Sequence, residues 1–328
     1  MNVFYFCSNA FVPVLSVSLQ SLLENNRTAK QINIYIADDG ISGENRHKLE
    51  KQAIEFSRKL SFLPMPSPSE LFDFPFKSRY QMGHSYIRMA IGTVLPSDTE
   101  RVLCLDCDTL VLDDLTELWE TDLGDNVLAG VADCVNLRAY RRQFKLTDNH
   151  LYCNAGMFLV DLKKWREQKT EQLIREKIKK DNGNVFFFEQ TLMNYACRGK
   201  VKKLPPRYNV YTLFYAFTHK NLMRFRSPTA FYDEEEIANA KKRPAIVHFT
   251  RNFYMSSRPW ELGCEHPLSE TYLDIKHRTP WPEPTACSQT KAKQLKRKLW
   301  HLLPQSVVAF IAGIAYNRIR PLLWWKNE

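Results

Sequence analysis

No stretch of this 328-residue chain is apolar for the roughly 20 residues that a membrane-spanning helix needs, which argues against a spanning segment. Its start, MNVFYFCSNAF, has neither a basic cluster nor a long apolar run. It therefore does not read as a signal peptide, and the expectation is a cytoplasmic protein. The eight cysteines do not form the pattern of a small disulfide-stapled domain, and a chain this long does not need one. Cys104 and Cys107 have the spacing of a metal or redox pair, but residues three apart on a strand face opposite ways. Both read as small buried side chains. There is no internal repeat. The bulk of the chain is not basic either. The net charge of +10 is concentrated after residue 290, where Lys291, Lys293, Lys296, Arg297, Lys298, Arg318, Arg320 and Lys326 meet only Glu328. The remainder is nearly balanced, which argues against a nucleic-acid partner.

What is present is a large apolar fraction, 44%, spread along the chain and ample for a sizeable core. Val3–Cys7 reads as a strand, and Leu15, Leu19 and Leu22 follow at helical spacing. Ile32, Ile34 and Ile36 alternate strictly before a turn at Asp38, Asp39 and Gly40. A charged helix is expected over 44–59 and a short strand near Phe62, with Pro64, Pro66 and Pro68 forbidding regular structure afterwards. Further helices are expected over 86–95, 163–180 and 188–197, and further strands over 102–105, 127–131, 158–160 and 245–249. Alternating strands and helices imply an α/β fold with a mainly parallel central sheet. Ligands of such sheets bind beyond the carboxyl ends of the strands. Ser8, Asp38, Asp106, Asp133 and His248 all fall at such ends.

The sequence RVLCLDCDTLVLDD places Asp106 and Asp108 on one side of extended chain directly after an apolar strand. Two carboxylates this close repel, and one would take up a proton unless something compensates them. A divalent cation would do so, and Mg²⁺ in particular takes one or two carboxylates and fills its shell with water and phosphate. A solvated turn would use the same letters. So would the nucleophile motif of haloacid-dehalogenase-type phosphatases, which DxDTLV resembles, with Asp106 as the attacking group. That family's motif usually lies near the start of its core and reads DGT, and its later lysine and acidic pair have no clear match here.

The surroundings of the two carboxylates separate these readings. RVLCLDCDTLVLDDLTELWETDLGDNVLAGVAD, LYCNAGMFLVDLKKWRE, FEQTLMNYACRGKVKKLPPRYNV and AIVHF…RPW occur in the order found in the family-8 retaining glycosyltransferases, which the chain resembles from Val3 to about Trp260. Within that family it resembles bacterial galactosyl- and glucosyltransferases of lipopolysaccharide and lipooligosaccharide. The resemblance implies a GT-A fold, a UDP-glucose or UDP-galactose donor, a divalent metal and retention of configuration. It implies Asp106, Asp108 and His248 as metal ligands, and an imidazole suits Mn²⁺ better than Mg²⁺. It further implies Ser8, Arg88, Asp106, Asp133, Asn154 and Arg258 as donor contacts, with Asp133 and Asn154 facing the sugar. Glu189 and Gln190 are implied as catalytic residues beside the anomeric carbon, with the Gln190 carbonyl oxygen stabilising developing oxocarbenium charge. The family usually has Asp where Glu189 stands, acidic residues where Ser8–Ala10 stand, and Lys where Arg258 stands.

The GT-A domain is expected over residues 1–284. The tail, 285–328, mixes basic and aromatic residues, and its longest apolar run, 307–316, is too short to span a bilayer. Lys296, Arg297, Lys298, Trp300, Trp324 and Trp325 are expected to hold it on the inner face of the cytoplasmic membrane, close to a lipid-linked glycan acceptor. A helical hairpin packed on the core, and a non-catalytic membrane adaptor, are the alternatives.

Overall fold

The strict alternation of Ile34 and Ile36 builds β2 (Asn33–Asp39), whose neighbours on either side define the sheet. The computed structural model describes residues 1–72, 86, 88–283 and 291–325. Seven strands form the main sheet in the order β3-β2-β1-β4-β7-β6-β8. Their ranges are β1 Asn2–Ser8, β3 Leu60–Pro64, β4 Arg101–Leu105, β6 Leu128–Ala132, β7 Cys153–Asp161 and β8 Val201–Lys203. The first four in sheet order are parallel, as expected, and β8 is parallel to β6. β7 departs from this: it runs antiparallel to both β4 and β6. It also starts five residues earlier than expected: Cys153 pairs with Ala132, and after a register shift the pairing resumes at Met157 with Leu105. A second sheet, in the order β5-β10-β9, joins β5 (Thr109–Val111), β10 (Ile246–His248) and β9 (Val210–Tyr211).

Apolar residues cover both faces of the main sheet. The helix Val12–Asn25 buries Leu15, Leu19, Leu22 and Leu23 on one side. On the other, Leu162, Trp165, Ile174 and Ile178 pack beneath β4 and β7. The helix expected over 163–180 is two helices, Leu162–Glu167 and Thr170–Lys180, because Lys169 adopts the left-handed region at φ 52°. The helix expected over 44–59 stops at Ile54, short of the left-handed Ser57. Pro64 ends β3, which lies at the sheet edge, where a missing N–H donor is tolerated. Between 86 and 95 the described helical run is Ile91–Val94, with Arg88 and Met89 in a turn before it. Seven cysteines, Cys104 and Cys107 among them, carry free thiols, and six of these are buried. Cys287 lies outside the described residues.

The tail forms helices Lys291–His301 and Gln305–Ile314, a π-helical turn Ala315–Ile319 and a last helix Arg320–Trp325. One stripe packs on the core: Val308 and Ala309 are fully buried, and Asn317 Nδ2 donates to Phe225 O at 2.8 Å. Gly313 lies against the helix His219–Arg226, where a Cβ would come within 2.8 Å of Arg224 O. The opposite stripe exposes Leu299, Leu302, Phe310, Ile314 and Leu322. Trp300 turns inward, edge-on to Phe253 at 5.4 Å. Lys298 is exposed, and Arg297 reaches Ser257 and Glu265. The side chains of Lys296, Trp324 and Trp325, with Lys326 and the 284/285 boundary, lie outside the described residues. Among the described residues no helix is long and apolar enough to cross a membrane.

Candidate active site and metal centre

The turn after β4 is built to present two carboxylates. Asp106 O accepts both Thr109 N–H (3.2 Å) and Thr109 Oγ1–H (2.8 Å), which closes the turn. Thr109 Oγ1 in turn meets Ser18 Oγ at 2.9 Å, inside the core. Asp106 N donates to Gly156 O at 2.9 Å, so β7 holds the first carboxylate. Phe249 N donates to Asp108 O at 3.0 Å, so the chain after β10 holds the second. These bonds give the threonine of DxDT a structural task.

β10 delivers His248 to the same point. One ligand atom from each of Asp106, Asp108 and His248 lies within 4.8 Å of the others. His248 Nε2 is 3.4 Å from Asp106 Oδ2 and 3.2 Å from Asp108 Oδ1. Two hard oxygens and one imidazole within this distance could hold a divalent cation.

The other ring nitrogen fixes which face of the imidazole looks at the carboxylates. His248 Nδ1 lies 3.2 Å from Asn154 Oδ1. That oxygen also accepts Gly156 N–H and Asn209 Nδ2–H, each at 2.9 Å, which identifies it as the amide carbonyl. Nδ1 is therefore a donor and Nε2 faces the two aspartates, so that in the neutral ring the Nε2 lone pair is directed at the carboxylates, as metal-binding histidines require. Gly156 makes room for the ring: a Cβ there would lie 2.1 Å from His248 Nδ1. Asn154, expected to face the sugar, thus has its carbonyl committed to orienting His248, and its Nδ2 reaches Asp133 Oδ2 only at 3.4 Å. The space at Gly156 is filled by the imidazole. The fully buried Asn209 was not singled out from the sequence, where it carries no signal beyond its place after PPRY.

Two arginines balance the acids. Arg88 Nη2 pairs with Asp106 Oδ1 at 2.6 Å and donates to Ala155 O at 3.1 Å, while its Nη1 is 3.6 Å from Glu189 Oε1. Arg258 Nη1 pairs with Asp108 Oδ2 at 2.6 Å, and its guanidinium lies over Trp260 at 5.1 Å. Burial works to raise the Asp108 pKa, but His248 and then Arg258 overcome it and bring it down to about 2. Burial works to lower the His248 pKa, but Asp108 and Asp106 outweigh it and hold it above the usual imidazole value. Burial raises the Glu189 pKa against the pull of Arg88.

Glu189 and Gln190 open the helix Phe188–Ala196. Gln190 Oε1 accepts Ala155 N–H at 3.0 Å, and its Nε2 donates to Asp133 Oδ2 at 2.7 Å, so both ends of the amide are fixed. The two residues before Glu189 are strained: Phe187 and Phe188 have φ of 58° and 51°. For bulky residues this costs roughly 1–3 kcal/mol each, and such strain clusters at functional sites. Ser8 ends β1 and makes no side-chain cap. Beyond it, Phe11 is 41% exposed and edge-on to Trp260 at 6.5 Å. Asp38 lies apart, paired with Arg46 at 2.6 Å.

The profile of Glycosyl transferase family 8 matches residues 2–262. General stress protein A of Bacillus subtilis is 24% identical over 264 residues, 80% of this chain and 87% of the relative. A lipopolysaccharide 1,2-glucosyltransferase of Escherichia coli is 24% identical over 327 residues, 96% and 90% of the two chains. Among solved structures, galactosyltransferase LgtC in complex with donor and acceptor sugar analogues superposes with a TM-score of 0.68 at 24% identity, covering 90% of this chain and 100% of that one.

Proposed function

This chain belongs to glycosyl transferase family 8, and from that premise we propose that it transfers a hexose, glucose or galactose, from a UDP-sugar to a hydroxyl of a lipopolysaccharide or similar cell-surface glycan, with retention of configuration. One observation carries the reading: Asp106, Asp108 and His248 converge with the Nε2 lone pair aimed at the carboxylates. The names of relatives from Escherichia coli and Salmonella typhimurium, lipopolysaccharide glucosyl- and galactosyltransferases, support the acceptor class. The donor set favours Mn²⁺ over Mg²⁺. When bound there, the ion supplies Lewis-acid stabilisation of a diphosphate leaving group.

The chain's own residues do the rest. Arg258 turns from Asp108 to the diphosphate and neutralises charge as the sugar–phosphate bond breaks. The exposed ring of Phe11 offers a stacking face to the base. Asp133 accepts from sugar hydroxyls, and Gln190, locked by Ala155 and Asp133, holds that wall. The acceptor hydroxyl attacks the anomeric carbon from the face the phosphate leaves. The new carbon–oxygen bond forms there, and the hydroxyl proton passes to the departing phosphate oxygen. Glu189 is less suited to a double displacement, because a nucleophile must reach the carbon at ~3 Å and Arg88 holds this carboxylate. Arg88 likewise occupies Asp106, which disfavours a phosphatase using that residue as nucleophile.

The tail's exposed apolar stripe and basic residues support peripheral attachment to the inner face of the cytoplasmic membrane. The test of the function is a donor screen with Mn²⁺. UDP release is read across common nucleotide sugars, and then transfer is read to truncated lipopolysaccharide cores. Either UDP-glucose or UDP-galactose should be turned over, and Asp108→Ala should abolish transfer with the fold intact. Full activity in that variant sinks the metal assignment.

A further inference from the structure

Next to the sugar-side wall lies a group of polar atoms that the proposed transfer leaves unused. Arg226 ends the helix His219–Arg226, and its guanidinium lies over the Tyr316 ring at 3.9 Å and the Phe225 ring at 4.9 Å. Its Nε and Nη1 are buried and donate to nothing among the described residues. Tyr316, 9% exposed, has a buried hydroxyl that is equally unpartnered. On the next residue Asn317 Oδ1 is also unpaired. Native interiors rarely leave such groups unmet, and a charged donor without an acceptor is among the costlier cases.

The neighbours place this group beside the site. Burial works to lower the Arg226 pKa, but Tyr316 and then Asp133, the carboxylate that Gln190 holds, raise it. Tyr316 stacks on Phe187 at 6.3 Å, and Arg320 lies over Phe186 and Phe187 at 4.9 Å each. Phe187 is one of the two strained residues that lead into Glu189. The tail thus braces the segment that delivers Glu189 and Gln190. Tyr316 itself sits in a π-helical turn, a feature frequent at functional sites.

We propose that Arg226 and Tyr316 belong to the acceptor subsite and bind an oxyanion, a phosphate or carboxylate, carried by the accepting glycan. A guanidinium pairs with either oxyanion through charge-assisted hydrogen bonds. A neutral hydroxyl would leave the buried guanidinium charge uncompensated. Asp133 repels a bare anion, so it sets the orientation: hydroxyls toward Asp133, the oxyanion toward Arg226. The tail would then be part of the substrate site as well as a membrane contact.

This rests on the transferase reading, and the experiment separates the two. The full chain with Mn²⁺ and UDP-hexose is given delipidated lipopolysaccharide core oligosaccharide in three forms: native, dephosphorylated with hydrofluoric acid, and carboxyl-reduced. The wild type should lose roughly ten- to hundred-fold in kcat/KM, mainly through KM, on whichever treated form lacks the recognised oxyanion. Arg226→Gln should erase that preference, Arg226→Lys should restore part of it, and Tyr316→Phe should narrow it. The comparison is a ratio within one variant, so a general loss of activity cancels, and circular dichroism checks folding. Equal use of all three forms by the wild type, or an undiminished preference in folded Arg226→Gln, overturns the inference and leaves the transferase reading standing. Transfer to none of them by the wild type overturns the acceptor reading and the inference together.

Discussion

Replacing Gly156 by Ala should disable the metal centre without touching a metal ligand. The added Cβ would lie 2.1 Å from His248 Nδ1, 2.2 Å from Cε1 and 2.8 Å from Cγ. Unbonded carbon atoms sit comfortably at ~3.5–4.0 Å, so the imidazole must retreat by roughly 1.5 Å. The β7 backbone cannot yield instead, because Gly156 O is bonded to Asp106 N and the next residue, Met157, is paired with Leu105. Metal bonds tolerate errors of only about 0.2 Å, so the displaced Nε2 stops being a ligand. Loss of orienting contacts alone typically weakens metal binding 10- to 100-fold, and loss of the ligand should reach the upper end. The assay is Mn²⁺ titration in the presence of UDP, followed by electron paramagnetic resonance of the free ion. Thermal melting is measured on the same sample. Gly156→Ala should match His248→Ala in Mn²⁺ affinity. An affinity within about two-fold of wild type, in a folded variant, refutes the packing argument.

Metal binding should also depend on pH in a defined direction. His248 holds its proton above the usual imidazole value, and the ion must displace it. In the metal-free protein the raised pKa contributes stability that is present at low pH and is lost as pH rises through the folded value. Mn²⁺ affinity runs the opposite way and should weaken as pH falls, starting above the ordinary imidazole range near ~6.5. Calorimetric titrations across that range check it, and a flat profile contradicts the assignment of Nε2. The full chain should co-sediment with phosphatidylglycerol vesicles at low salt but not with phosphatidylcholine vesicles. Phe310→Glu, on the exposed stripe, should weaken that binding. Absence of binding to either vesicle removes the membrane role from the tail.

The parallel half of the sheet was legible because its strands carry period-two or continuous apolar runs that end in polar residues. β7 was legible only in its second half. Phe158–Val160 is apolar, but Cys153–Gly156 looks like a turn, and its extended form is anchored at its two ends, by Cys153 on Ala132 and Met157 on Leu105. β5, β8 and β9 are two or three residues long, too short for any periodic signal. Asp106, Asp108 and His248 were found by motif, and the structure brings them together. The commitment of Asn154 to His248 was not legible. It depends on Asn209, 55 residues away, and on the void at Gly156, and neither leaves a trace in local pattern. The strain at Phe187 and Phe188 was equally hidden, since two phenylalanines ahead of a helix suggest ordinary core.

The metal-free site is a set of ion pairs, and that arrangement constrains how a donor can enter. Each aspartate already has a guanidinium: Arg88 on Asp106 and Arg258 on Asp108, both at 2.6 Å. A divalent ion arriving alone would have to face Arg258 at close range, with Coulomb repulsion strengthened by burial. An ion arriving with a diphosphate brings the acceptor that Arg258 needs, including for its Nε, which is buried and has no partner among the described residues. Trp260 lies under the guanidinium at 5.1 Å and can support it in either position. Arg88 differs, because Ala155 O and Glu189 hold it from two further sides and give it no reason to leave Asp106. Under the proposed transfer the two arginines divide the work: Arg88 would keep the first carboxylate in place, while Arg258 would give up the second when the nucleotide arrives. Metal and nucleotide affinity should consequently be coupled, each strengthening the other, with Arg258 as the residue through which the coupling passes.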